Sequence, residues 1–363
     1  PPPAPMGPPR FPVVDLGAVR TEVYNPYRVT SYGGFGFAVR PGDIGRQQMQ
    51  MRTVPIAMEV VLRGPYRLNL EFVGASVEDG ENRALSLSPS VALSTSQRGI
   101  FHTSLRAGLQ ATATDIPQLN WSGLLRGRFD PGLSVEIETV RAPVSDSLFA
   151  WAGDQDGDAG RLQDTWVGGR MSMASESERS VGLLGRAGVT DAKQLDALPW
   201  SQAMGWIHLP LVHHSAQLWL PQVGMSIEGM VMRHDRQVGG FEPLQGGMFS
   251  PELYRSASGR ILGRWTTPRE RFGLCTVLGL GPQQVVGEST LYLGPGDYLG
   301  YQAEMELRLE LVPGWVLAGG LKHQATRGEW YQNIGTVQIQ YGQADSGLAT
   351  PSAVFSSAVH GPP

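Results

Sequence analysis

The chain has 363 residues, a formal net charge of −4 and a pI near 6.0, a balance that excludes a general nucleic-acid binder, which needs a basic face for phosphates. Charged residues make up 17%, below the roughly 25% of an average soluble domain, and the 47 glycines are about twice the usual share, which suits many strands and turns. The single Cys275 excludes an internal disulfide and a cysteine-based zinc site, and no run of about 18 apolar residues is present to span a membrane as a helix.

The chain opens on "PPPAPMGPPRFP", so residues 1–12 read as a polyproline-type lead-in left from a longer protein. After it, one pattern recurs. "YRLNLEF" (66–72) separates Arg67, Asn69 and Glu71 from Leu68, Leu70 and Phe72. "TSLRAGLQATA" (103–113) opposes Ser104, Arg106, Gln110 and Thr112 to Leu105, Ala107, Leu109 and Ala111, and "LSVEIET" (133–139) opposes Glu136 and Glu138 to Val135 and Ile137. "RMSMA" (170–174) alternates in the same way. In "YQAEMELRLELV" (301–312), Gln302, Glu304, Glu306, Arg308 and Glu310 alternate with Ala303, Met305, Leu307, Leu309 and Leu311, and "TVQIQY" (336–341) sets Thr336, Gln338 and Gln340 against Val337, Ile339 and Tyr341. On a helix these charges scatter around the axis; on a strand they share one face.

Turn signals separate the alternating runs: "RPGD" (40–43), "EDGEN" (78–82), "DPG" (130–132), "GDQDGDAG" (153–160), "GPGD" (294–297) and "VPG" (312–314). They leave roughly 14 to 18 strand candidates. "TDAKQLDAL" (190–198), with Thr190 or Asp191 as N-cap, predicts a short surface helix. Two architectures share this periodicity: a soluble sandwich with its apolar face inward, and an outer-membrane barrel with its apolar face toward lipid. Trp121, Trp151, Trp166, Trp200, Trp315 and Trp330 lie close to turn signals, where interfacial aromatics would sit.

Motifs for metal and catalysis fail on their details. The acidic loop 154–165 has Ala159 and Thr165 where a calcium loop requires Gly and a bidentate Glu. His213 and His214 are adjacent, so on a strand they point to opposite faces, and with His208 they make no chelate. "GMFSPE" (247–252) places Pro251 after Ser250, which removes the backbone N–H that a nucleophile elbow uses. Glu136 with Glu138, or Glu304 with Glu306, stand about 7 Å apart along one strand face, the separation of a glycosidase pair, but the Gln, Thr, Ser and Arg beside them describe a wet wall. No catalytic residue, metal or cofactor is expected.

Several segments resemble the C-terminal region of the cellulose synthase operon protein C family. "TVRAPVSDSLFAWAGDQD" (139–156) carries Arg141, Pro143, Ser147 and Gly153 at that family's spacing. "VMRHDRQVGGFEPLQGGMFSPELYRSASGRI" (231–261) carries Gly246, Gly247, Phe249, Ser250, Pro251 and Tyr254. "MRTVPIAMEVVLRGPYRLNLEFVGASVEDG" (51–80) resembles its entry segment, and "WVLAGGLKHQATRGEWYQNIGTVQIQYG" (315–342) its closing hairpin. The resemblance implies an all-β fold, a transmembrane antiparallel barrel of about 16 strands over 13–342, with a polar tail at 343–363. It implies an outer-membrane porin of a Gram-negative bacterium that exports a newly made glucan, with a helical-repeat periplasmic scaffold and an inner-membrane synthase upstream, outer-membrane lipid around it and no nucleic acid. The lumen face is then expected to carry Arg67, Asn69, Glu71, Arg106, Gln110, Glu136, Glu138, Glu304, Glu306, Arg308, Glu310, Gln338 and Gln340. The readings left open beside it are a soluble carbohydrate-binding domain and a barrel hydrolase.

Overall fold

Alternating residues in a strand face opposite sides, so a sheet with two chemically different faces must either pack one of them on another layer or close on itself. The computed structural model describes residues 29–40, 49–62, 65–95, 100–112, 117–129, 132–144, 161–175, 179–192, 195–212, 221–235, 250–267, 272–287, 295–312, 314–326 and 330–341. They form β1 (Val29–Arg40), β2 (Met49–Val61), β3 (Tyr66–Glu78), β4 (Arg83–Thr95), β5 (Phe101–Thr112), β6 (Gln118–Phe129), β7 (Leu133–Pro143) and β8 (Gln163–Ala174). The second half supplies β9 (Ser180–Ala192), β10 (Leu195–Val212), β11 (Gln222–His234), β12 (Leu253–Thr266), β13 (Phe272–Val286), β14 (Gly296–Val312), β15 (Trp315–Thr326) and β16 (Trp330–Tyr341). Each strand pairs antiparallel with its sequence neighbours, and β1 pairs with β16 from Ser31↔Tyr341 to Val39↔Asn333, closing a 16-strand barrel. The proposed bounds 1–12 and 343–363 lie outside the described residues.

The apolar series faces outward. Leu70, Ile137, Ile227 and Leu278 are 41–62% exposed, whereas the alternate positions are largely covered by the protein itself. At the end where β1 begins and β16 finishes, the outer face carries exposed Tyr66, Phe101, Phe129, Trp315 and Tyr341, with ring centroids 6.0 Å apart for Phe101–Phe129 and 5.0 Å for Trp315–Tyr341. At the other end, Tyr301 and Tyr331 flank His323 on the outside. Aromatic rings at both rims of an apolar band are the arrangement that two membrane interfaces favour. The two longest connections, 144–162 and 235–252, leave from the rim opposite the first and last strand ends.

Two expectations are corrected. The described residues of the span 190–198 are strand and not helix: Ala192 of β9 pairs with Leu195 of β10, and sheet pairing outweighs the local capping signal. Trp166 and Trp200 share the inward parity of their strands and are 6% and 9% exposed, so they are inner-wall residues, whereas Trp315 sits at the outer rim as expected. Trp151 lies outside the described residues.

The inner face is not uniformly wet. Ala38, Met49, Met51, Val77 and Ala84 make a small apolar cluster inside β1–β4, and Tyr254 packs with Met230 and Val285 inside β11–β13. Both clusters lie toward the long-loop rim. Beside the second cluster the wall depends on close backbone approach. The β12–β13 ladder is interrupted between Ser256↔Gln283 and Gly259↔Leu280, and a Cβ at Gly281 would fall on the Ala257 carbonyl oxygen. A Gly281→Leu chain is expected to lose about 1–3 kcal/mol through overpacking and to show far less of the heat-modifiable folded band on a gel. Gly185→Ala, at a position whose added Cβ meets nothing within 4 Å, is expected to leave the band unchanged.

Candidate conduit wall

Every lumen candidate named from sequence falls on the inward series of its strand, and the candidates are spread around the barrel instead of converging. Arg67, Asn69 and Glu71 are on β3, Arg106 and Gln110 on β5, Glu136 and Glu138 on β7, Glu304, Glu306, Arg308 and Glu310 on β14, and Gln338 and Gln340 on β16. Their partners come from neighbouring strands. Arg67 meets Glu59 at 3.6 Å with both side chains almost fully covered, at 5% and 2% exposure. Arg126 meets Glu136 at 2.6 Å, and Lys322 meets Glu304 at 2.9 Å, each directly across the ladder.

A second group of contacts passes over an intervening strand. The Arg186 guanidinium on β9 donates to Glu138 on β7 at 3.0 and 3.2 Å across Gly168 of β8, where a Cβ would press on the Arg186 stem. The Tyr32 hydroxyl on β1 donates to Glu71 on β3 at 2.7 Å across Ala57, which aligns with both in the sheet. The same Glu71 accepts from Arg106 on β5 at 2.6 Å and, at 3.5 Å, from the Ser90 hydroxyl beneath. Thr326 on β15 donates to Gln283 on β13 at 3.0 Å, over Gly300. Small residues in the middle strand therefore allow polar side chains to brace the wall two strands at a time.

Gln110 is buried, and its backbone carbonyl accepts from Arg161 at 3.1 Å. Glu306, Arg308 and Glu310 lie on β14 toward the terminal rim, beside Cys275 at the level of Glu306. Sequence reasoning missed Tyr32, Glu59, Arg126, Arg186, Arg260 and Glu228, the last two of which pair at 2.7 Å. It also missed two indoles on the inner wall: Arg186 stacks over Trp166 with 4.4 Å from Cζ to the ring centroid, and Arg170 over Trp206 at 4.7 Å. Their inward parity was readable in "DTWVGGRMSM", where Trp166, Gly168, Arg170 and Ser172 form one series.

The motif residues have packing roles. Arg141 faces outward and holds Thr165 at 2.6 Å and Asp191 at 3.2 Å across β8, next to Pro143 at the end of β7. Ser250, Pro251 and Tyr254 are buried at the start of β12, and the His234 ring donates from Nδ1 to the Pro251 carbonyl at 3.2 Å. Ser147, Gly153, Gly246, Gly247 and Phe249 lie outside the described residues, as do Asp154, Asp156, Asp158, His213 and His214. Among the described residues no group of three or more His, Cys, Asp or Glu is placed to hold a metal ion.

This geometry can be set beside known proteins. A bacterial polysaccharide outer membrane secretin superposes with a TM-score of 0.66 at 8% identity, covering 88% of this chain and 99% of that one, which establishes the barrel fold. Looser likenesses include CdiB from Acinetobacter baumannii (TM-score 0.49, 10% identity, 86% of this chain and 60% of that one) and OprB from Pseudomonas putida (0.45, 9%, 90% and 97%). No curated protein matches the sequence. The family model described as the cellulose synthase operon protein C C-terminus matches residues 88–292, more than half of the chain, running from within β4 to just past β13. The chain belongs to the cellulose synthase operon protein C C-terminus family, and it is an outer-membrane β-barrel of the Gram-negative type.

Proposed function

We propose that the barrel is the outer-membrane conduit through which a newly made, uncharged glucan, cellulose or a similar exopolysaccharide, leaves the cell, and that it catalyses no covalent step. The observation that carries this reading is a family match spanning most of a closed barrel in which several inner charges are held in opposite-sign pairs. A neutral polymer presents hydroxyls on its edges and C–H groups on its faces. It is passed along most readily by many weak hydrogen-bonding partners, with no deep site to hold it and no net field to fill the channel with counter-ions. Paired Arg, Glu and Lys with intervening Ser and Gln supply such partners.

The hydrolase alternative is disfavoured by the same contacts. A glycosidase needs two carboxyls free to exchange protons and attack, but Glu136 is engaged by Arg126 and Glu138 by Arg186. The lead-in at 1–12 then joins the barrel, 13–342, to a periplasmic helical-repeat scaffold that receives the polymer from an inner-membrane synthase, and 343–363 is a polar tail. The long-loop rim faces the exterior, since the longer connections of such barrels are extracellular.

In cells that synthesise the glucan, loss of this chain is expected to stop polymer reaching the surface and leave it in the periplasm, and re-expression restores it. Unchanged surface glucan in its absence would contradict the proposal. Within the wall, the double variant Arg126→Gln, Glu136→Gln is expected to keep the heat-modifiable fold, since a partly wet pair contributes only about 0–1 kcal/mol to stability. Arg67→Ala is expected to destabilise the barrel by about 3–5 kcal/mol, because it removes a cationic partner from Glu59 in a covered site, and denaturant unfolding of the two variants in detergent distinguishes the two kinds of pair.

A further inference from the structure

Among the described residues the inner wall has a recess whose lining differs from the charged stripes beside it. It has a volume of about 220 Å³ and lies where β10–β14 pass side by side. Three inward positions there carry no side chain, Gly279 and Gly281 on β13 and Gly300 on β14, while β12 contributes the small Ser256 and Ser258 beside Arg260. The missing side chains let their neighbours lie flat. A Cβ at Gly279 would stand 3.2 Å from Arg260 Cγ, and a Cβ at Gly300 would collide with the Gln283 amide. Arg260 thereby lies along the wall and meets Glu228 at 2.7 Å, so the recess floor holds a closed ion pair with no excess charge. Gln202, Gln283 and Gln302 add amides, and Met204 and Met230 add apolar contact.

We infer that this recess is a shallow glycan subsite, a place on the lumen wall where one or two sugar residues of the passing chain pause in weak, readily exchanged contact. The inference rests on the proposed conduit function and names where in the lumen the polymer makes its main contact. Neutral amides and hydroxyls around a self-neutralised ion pair suit a hydroxyl-rich, uncharged ligand, whereas an anionic polymer would require an uncompensated cation. The Gln202 side chain is poised for such exchange: its Nε2 donates only to the Met230 sulfur, at 2.8 Å, and a sugar hydroxyl is a better acceptor than a thioether. On the β1–β5 side the corresponding space is occupied, since Tyr32, Glu59, Arg67 and Glu71 are each buried in contacts with one another or with Arg106. The chain is therefore drawn to the β10–β14 side.

The test is single-channel recording of the full chain in planar bilayers with cellopentaose in solution. Ser258→Trp fills the recess, Ser88→Trp adds the same bulk to the inner face of β4, and heat-modifiable mobility checks that both variants fold. Wild-type channels are expected to show discrete blockades by cellopentaose. Ser258→Trp shortens their dwell time by roughly tenfold, the loss expected when one or two polar contacts are removed, and Ser88→Trp lowers the open current without shortening the dwell. Blockades whose dwell is unchanged by Ser258→Trp, or shortened equally by both variants, overturn the subsite and leave the conduit standing. Wild-type channels that cellopentaose never blocks overturn the glucan conduit and the subsite with it.

Discussion

Hydrocarbon offers no partner to a backbone N–H or C=O, so every such group on the membrane-facing wall must be satisfied within the chain, and the pairing of β1 with β16 makes that possible. Sixteen antiparallel strands laid flat would end in two open edges; the register from Ser31↔Tyr341 to Val39↔Asn333 joins them and leaves none. The rest of the architecture follows. A closed sheet has an outside and an inside, so the two side-chain series of each strand are committed to lipid and to lumen. A shift of one residue at any hairpin would exchange them. The outward rings at Tyr66, Phe101, Phe129, Trp315 and Tyr341 mark where the apolar band stops.

The inside is braced as well as polar. Contacts that reach over Ala57, Gly168 and Gly300 tie β1 to β3, β7 to β9 and β13 to β15, so the inner wall resists shear between strands beyond what the backbone ladder provides. Those braces also consume charge. An inner face with many Arg and Glu residues would ordinarily select ions strongly, and pairing Arg126 with Glu136, Arg186 with Glu138, Arg260 with Glu228 and Lys322 with Glu304 weakens the local field at those positions. A conduit for an uncharged polymer gains from this, because the same side chains hold the barrel in shape and present hydrogen-bonding edges.

Strand identity was legible wherever apolar and polar residues alternate without interruption, as in β3, β5, β7, β14 and β16, because the period of two is a direct consequence of the pleat. That the thirteen lumen candidates sit on the polar series of their strands followed from the same fact, whereas the resemblance to the family supplied the expectation that this series faces inward. What alternation does not encode is register, so the partners of those residues, Glu59, Tyr32, Arg126 and Arg186, became visible only when strands were placed side by side. The span 190–198 was misread because capping residues and helical spacing are local signals, while the Ala192↔Leu195 pairing that overrides them is set by the sheet on both sides. Trp166 and Trp200 were assigned by proximity to turns, although their parity already placed them inside. Glycines 279, 281 and 300 are far apart or unremarkable in sequence; in the barrel they are missing side chains in one patch of wall, and the recess is made of that absence.

All of this depends on which face of a strand meets the polymer. β14 offers the cleanest comparison, because Glu306 and Leu307 are neighbours in the chain, lie at nearly the same height in the membrane and point to opposite sides of the wall. The most direct measurement places a photoreactive amino acid at one position or the other while the cell is synthesising glucan, then isolates the barrel and analyses the attached carbohydrate. Glucan linked to the chain from position 306 and none from 307 is the predicted result. Attachment from 307, or from neither position in cells that export polymer, would contradict passage through the lumen.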